Sequence, residues 1–450
     1  MMSKRKHLVF LVAVSLLPTI RLSSQQALDL RGALQYAAEH HAQVRKGAVD
    51  IQIAEQLIRE SLSTGLPQVN ANASIANNLS IRTSFVPAEF FGGQPGEFAQ
   101  VQFGTNWNAS SGIQLDQLAF SKTWFLGLRA SRELTRFYAL LHERQLETVL
   151  YEVAKLYYQI QYSRNQRALI TANLSQLKGM VTLMERQVSA GFAKQLDLDR
   201  LQVQFANLEM ELTNLDLQLE QAEQALKFSM QMPLDTEITL TDTLGPEPLP
   251  FVEQLVSQPG WSASTQLRIL QKQQQLNELD ELRWKANYFP TLSFFASYTY
   301  EWQANNLSEF TSGRNWTDFS QVGLRLQVPL FDGMYKDSKL QAARLNARKT
   351  DLDYSLAALG AELQHQSAIT AIRRSRNSRL SAEKNRGLAE RVYRVAQSRY
   401  VEGLASVTEL LDAENSLRQA QANQLSVLAQ TKLAEIDLIN ANGMISKLME

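Results

Sequence analysis

Few residues in this chain are spaced to do chemistry. The five histidines are His7, the adjacent His40 and His41, His142 and His365. None has the HExxH spacing of a zinc site, and neighbouring residues on a helix point to different faces, so His40 and His41 do not form a metal pair. With no cysteine in 450 residues, thiolate ligands, cysteine nucleophiles, disulfides and a lipidated N-terminal cysteine are excluded. No glycine loop for phosphate binding and no catalytic constellation is present, so the expectation is a non-enzyme with no cofactor and no metal site. What remains are carboxylates beside two glycines. Gly191, Phe192 and Ala193 are followed after three residues by Asp197, and Gly403, Leu404 and Ala405 by Glu409, with Asp412 beyond. Carboxylates so placed either complement the start of a helix or, gathered around an opening, concentrate negative potential that favours cations. Both readings hold for Glu409, because Ser406 to Glu409 has the form of a capping box. Asp197 also sits in a first turn. Asp412 lies one position past its first turn and has no such local role.

The elements that carry these residues follow from the rest of the chain. Forty-five basic and forty-five acidic residues cancel, which argues against a nucleic-acid partner. Only 20 Gly and 11 Pro point to long helices rather than many turns. Lys4, Arg5, Lys6 and His7 precede the apolar run Leu8 to Leu17, with small Ser23 and Ser24 after it. This is the layout of a secretory signal peptide, assigned to residues 1–24, and too short for a spanning helix. No later apolar stretch reaches spanning length, so a membrane crossing requires β-strands.

The chain repeats itself. Gly112-Ile113-Gln114-Leu115 leads to Phe120 as Gly323-Leu324-Arg325-Leu326 leads to Phe331, an offset of 211 residues (331 − 120). Gly191 and Gly403 are offset by 212 (403 − 191). Pro67 and Pro290, each before a strand-like run, are offset by 223 (290 − 67), so the first half carries 12 extra residues (223 − 211) around Gly92, Gly93, Pro95 and Gly96, read as a longer loop. The expected division is 25–231 for the first repeat, 232–262 for a linker rich in proline, and 263–450 for the second repeat.

Each repeat reads as helix, two strands, and two very long helices. Leu292, Phe294, Ala296, Tyr298, Tyr300 and Trp302 alternate with polar residues, as do Val322, Leu324, Leu326, Val328 and Leu330. In the first half Val101, Phe103, Trp107, Ile113 and Leu115 alternate likewise, and Val69 to Asn78 does so more weakly. The strand pairs are placed at about 68–118 and 291–330, their long runs suiting transmembrane strands, while a soluble β-sandwich could show the same alternation. Five of the six Trp, at positions 107, 124, 284, 302 and 316, lie in or beside these strands, as aromatic girdles at membrane interfaces do. The run from Leu146 to Val188 keeps a spacing of three and four, and resumes from Leu198 to Leu226 after Gly191. These are coiled-coil seams reversing at a glycine. A helix from Lys122 to Ala190 is on the order of 100 Å long at 1.5 Å per residue. The second half repeats the plan from about Lys339 to Glu402 and from Ser406 to Ser446. Four strands cannot close a barrel, so a spanning sheet requires oligomerisation.

In the tandem halves, in Val328-Pro329-Leu330-Phe331-Asp332-Gly333, and above all in Tyr400-Val401-Glu402-Gly403 followed by Val407-Thr408-Glu409-Leu410-Leu411-Asp412-Ala413, the sequence resembles the TolC-like outer-membrane efflux proteins. The resemblance implies an α+β membrane protein: a long antiparallel coiled-coil tunnel on a transmembrane β-barrel of four strands per chain, twelve in a homotrimer. It implies the outer membrane of a Gram-negative bacterium with its lipid, a periplasmic helical extension, and a passive exit duct for an efflux or type I secretion system. The partners would be a periplasmic adaptor protein and an inner-membrane transporter. The linker would form an equatorial belt, shortened because the chain ends soon after its last helix. Asp197, Tyr400, Glu409 and Asp412 match positions that line or latch the periplasmic entrance, and the turns at Gly191 and Gly403 would be the tips that meet the adaptor. Where the family has an arginine two positions past the second glycine, this chain has Ala405, and Lys194 is the substitute in the other turn. The rival reading is a periplasmic coiled-coil adaptor or scaffold with a soluble β-domain. The joint duplication of strand pairs and helix turns favours the duct.

Overall fold

The computed structural model describes residues 26–258 and 260–450; the signal-peptide segment 1–24 lies outside them. The chain opens with a short strand β1 (Gln26–Leu28) and helices α1 (Leu30–His40) and α2 (Ala42–Ser63). A strand β2 (Gln68–Asn77), a hairpin of β3 (Thr83–Pro87) and β4 (Phe98–Gln102), and a long β5 (Trp107–Phe120) follow. Two helices then complete the first half, α3 (Lys122–Ser189) and α4 (Gln195–Met230). After β6 (Ile238–Leu240), α5 (Val252–Ser257) and α6 (Thr265–Ala286), the pattern returns as β7 (Thr291–Ala304), β8 (Trp316–Gln327), α7 (Tyr335–Val401) and α8 (Val407–Ala441).

Local chemistry sets these limits. α3 starts where Ser121 Oγ accepts from Trp124 N at 3.2 Å, satisfying one of the unpaired N–H groups of the first turn. The 67-residue α7 begins four residues before the expected Lys339. Met334 turns in the left-handed region and the Asp332 carboxylate accepts from Lys336 N, capping the new start. α8 stops at Ala441 rather than Ser446, because Gly443 (φ +65°) reverses the chain into a single 3₁₀ turn, Ile445–Met449. The longer loop of the first half contains structure, the β3–β4 hairpin. Val101 belongs to that hairpin, since Gly104 (φ +140°) breaks the run before β5 begins at Trp107.

The four long strands form one antiparallel sheet in the order β2-β5-β7-β8. Its rows alternate in character across all four strands. Val69, Leu115, Ala296 and Val322 share one row; Asn70, Gln114, Ser297 and Gln321 share the next. Toward the helix end of the sheet one face is therefore mainly apolar and the other mainly polar, the pattern of a barrel wall between lipid and water. In the part nearer Trp316, by contrast, Asp318 and Ser320 fall on the apolar face and Phe319 on the polar one. Aromatic groups collect at both ends. Trp302, Trp316 and Phe310 pack together at one. At the other, Trp124 contacts Phe125, Trp284 contacts Tyr335, and the Lys122 ammonium lies 3.6 Å from the Phe289 ring centre.

From this second end the helices leave in two layers. Nearest the sheet they pack side by side as α2-α3-α6-α7, and farther away as α4-α3-α8-α7. α3 and α7 run through both. The seams are coiled-coil contacts: Leu201, Leu208 and Leu215 of α4 are buried, as are Ile170, Leu177 and Met184 of α3. Where the layers meet, a collar of α1, α5, β6 paired in parallel with β1, and the C-terminal turn surrounds the midpoints of the long helices. Val149, Val153, Tyr157 and Ile160 of α3 and Ile436 and Ile439 of α8 are buried there. The Asp242 carboxylate ties the collar down, accepting from Leu30 N and from the Tyr157 hydroxyl, each at 2.8 Å. Burial and that carboxylate hold the Tyr157 phenol protonated far above its ordinary range.

Candidate functional site: the helix-hairpin tips

The two long hairpins end side by side in near-identical turns. Gly191 and Gly403 adopt φ +78° and +74°, a conformation glycine reaches without a Cβ penalty. In each the next residue closes the last helical turn: Phe192 N donates to Gln187 O and Leu404 N to Arg399 O, both at 2.8 Å. Phe192 and Leu404 project into solvent, 87% and 66% exposed. The tips are thus apolar points on polar stems.

The predicted carboxylates fall on three different footings. Glu409 is capped and paired within its own hairpin: its N–H donates to Ser406 Oγ at 3.1 Å, and Arg399 Nη1 bonds its carboxylate at 3.0 Å. Asp197 pairs with Arg200 one turn along α4 at 3.5 Å. Asp412 is exposed, without an ion pair among the described residues, and faces a groove of about 740 Å³ between α7 and α8 that Arg391, Val395 and Thr408 also line. Tyr400 is half-buried between the hairpins, against the cluster of Leu177, Met184, Leu198, Leu201 and Val407. Burial, with the negative charge of Asp197, pushes its phenol pKa up. Lys194 holds the N-cap position of α4 with no side-chain cap bond and no ion pair among the described residues. The cation that reaches the other hairpin is Arg200, whose Nη1 donates to Thr408 Oγ1 at 2.9 Å.

Arg200, Arg399 and Glu414 lie outside the residues to which the sequence points. Arg399 had a local signal, a cation in the last turn of α7. Glu414 had none: it sits between α8 and its neighbours with Oε2 buried and unpartnered. Burial raises its carboxyl pKa against the pull of Arg418. Nearby, the Gln176 amide of α3 donates to the Tyr393 hydroxyl of α7. Among the described residues no group of three or more His, Asp or Glu is placed to hold a metal ion, and no helix is long and apolar enough to cross a membrane.

A two-faced antiparallel sheet with aromatic ends, carried on helices of this length, defines an outer-membrane channel protein with a periplasmic helical extension. The chain belongs to the outer membrane efflux protein family, whose model matches residues 33–230 and 283–444, one segment in each repeat. It is 23% identical to outer membrane protein TolC of Salmonella enteritidis, over 99% of this chain and 90% of that one. Its fold is similar to that of VceC from Vibrio cholerae (TM-score 0.71, 16% identity, 92% of this chain and 96% of the other). It is also similar to CusC, with a TM-score of 0.73 at 16% identity over 93% of each chain. The relatives are channels rather than enzymes.

Proposed function

We propose that the chain assembles as a homotrimer and serves as the passive exit duct of a tripartite efflux or type I secretion system. One observation carries this: all three layers end openly on the same two sides, at β2 and β8, at α2 and α7, and at α4 and α7. Open strand edges are not tolerated in lipid. With four strands per copy, β8 meets the next copy's β2 antiparallel, so the sheet closes without a mismatched junction. The helices support the same joint. Leu196, Val203, Met210 and Leu217 of α4, and Leu345, Leu352 and Leu359 of α7, recur at sevens and are more than half exposed in the protomer, the spacing of an unfilled coiled-coil seam. Native mass in detergent tests it: three times the mature chain supports the reading, and a monomer refutes it.

In that trimer the tips form the periplasmic entrance. Asp412, which has no ion pair among the described residues, makes it acidic, with Glu409 and Asp197 contributing through their pairs with Arg399 and Arg200. Tyr400 and Arg200 hold the hairpins together there, and Lys194 stays available for a neighbouring copy. The tips at Gly191 and Gly403 meet the periplasmic adaptor, which links the duct to an inner-membrane transporter. Asp412→Asn with Glu409→Gln lowers cation preference in a reconstituted channel; unchanged ion selectivity removes the acidic entrance while leaving the fold intact.

A further inference from the structure

The polar face of the strand sheet carries two charges that are supported but not paired. In the row Gln68, Asp116, Phe295, Gly323, the Phe295 ring lies over the glycine, so close that a Cβ at Gly323 would stand 2.8 Å from its Cζ. Two residues along β8, the Arg325 guanidinium lies 5.0 Å from the centre of the same ring, within cation–π range. On the other side, Gln114 Nε2 donates to Asp116 Oδ2 at 2.7 Å. Neither Asp116 nor Arg325 has an ion-pair partner among the described residues. The register explains why: Asp116 on β5 and Arg325 on β8 are separated by β7 and lie in different rows, and the guanidinium is held over the Phe295 ring. The glycine notch seats the ring, the ring seats the cation, and the glutamine orients the carboxylate.

We propose that this arrangement is a charge-separated contact station on the inner wall of the barrel, near its periplasmic end, for solutes that carry both an anionic and a cationic group. It rests on the trimeric-barrel reading, which makes the polar face the water-filled side and repeats the station three times around the lumen. Arg325 attracts the anionic end of such a solute and Asp116 the cationic end, so the station orients dipolar molecules without favouring one net charge. A close pair would cancel at short range; one held a strand apart leaves both fields open to solvent.

The absence of native cysteine permits a clean test on the full-length protein. Ser293 is the register partner of Arg325 and Gln68 that of Asp116. Ser293→Cys and Gln68→Cys are each reacted at low salt with an anionic and a cationic methanethiosulfonate, and each rate ratio is normalised to that of free cysteine. Ser293→Cys favours the anionic reagent by about threefold or more and Gln68→Cys the cationic one, as expected for local concentration by a nearby charge. Arg325→Gln abolishes the first bias, Arg325→Lys retains it, and Asp116→Asn abolishes the second. Ratios equal to those of free cysteine, or unmoved by these changes, overturn the station. Thiols that react with neither reagent until the protein is denatured overturn the barrel reading instead, because the face would not be lined by water.

Discussion

Removing the Arg200 side chain tests how the hairpin tips hold each other. Two contacts are lost in Arg200→Ala: the ion pair with Asp197, which lies within α4, and the hydrogen bond to Thr408, which joins α4 to α8. Only the second distinguishes a closed tip from one in which the hairpins have moved apart. Arg200 is 46% exposed, so solvent and salt screen it, and a contribution of about 0.5–1 kcal/mol per copy is appropriate. In the proposed trimer three symmetric copies bring this to roughly 1.5–3 kcal/mol, and the ratio of open to closed entrances shifts by about 10- to 150-fold. Single-channel recording in planar bilayers reads this as open probability. Thr408→Ala produces the same shift, and the double variant adds nothing further. An Arg200→Ala channel that gates as the parent does, or additive effects of the two changes, would refute the contact as a latch.

Glu414 gives the tips a pH dependence with a definite sign. Burial raises its folded pKa, so the stability it contributes is fully present below the ordinary glutamate range and lost as pH rises through the folded value. Glu414→Gln strengthens the hairpin contact at neutral pH and flattens this dependence; hydrogen exchange in α8 at pH 5 and pH 7.5 measures it, and an unchanged profile counts against the assignment. In the collar, Lys432 and Glu435 are almost wholly buried as a pair, and the Lys432 ammonium also bonds Glu247 O. Lys432→Met strands the carboxylate and destabilises by about 3–5 kcal/mol, more than Lys432→Met with Glu435→Leu, as thermal unfolding of the two variants will show. Gly403→Ala forces a side chain into the left-handed region at a cost of about 1–2 kcal/mol, and lowers the melting temperature with no clash to relieve.

What could be read from sequence was what repeats or what has a local period. The duplication shows as matching motifs spaced by 211 (331 − 120) and 212 (403 − 191) residues, and the glycine reversals at Gly191 and Gly403 and the seams of α3 and α4 are written in neighbouring residues. Alternation marks the long strands of the second half, but it also joins Val101 to the run of Trp107, because a glycine break leaves alternation intact on both sides, and the structure puts Val101 in the β3–β4 hairpin. Contacts between distant segments had no signature. Arg200 finds Thr408 across 208 residues, Leu30 finds Asp242 across 212, and β1 pairs with β6 over a similar distance. The buried, unpartnered Oε2 of Glu414 is invisible in sequence for the same reason: its neighbours are set by packing, and nothing in the residues around it says that the helix turns it inward.

The two-layer wall has a mechanical consequence. At the level of the collar four helices stop or start, while α3 and α7 continue unbroken through 68 and 67 residues. A tube built this way has two spars per protomer and a set of butt joints at a single height, where it would flex most easily. The collar lies over those joints as a splint, fastened by Asp242 on one side and by Lys432 and Glu435 on the other. Torque applied at the tips would therefore travel along the spars to the barrel rim, where the first turns of α3 and α7 emerge among the aromatic residues. The tube would turn as one shaft rather than fold at its waist.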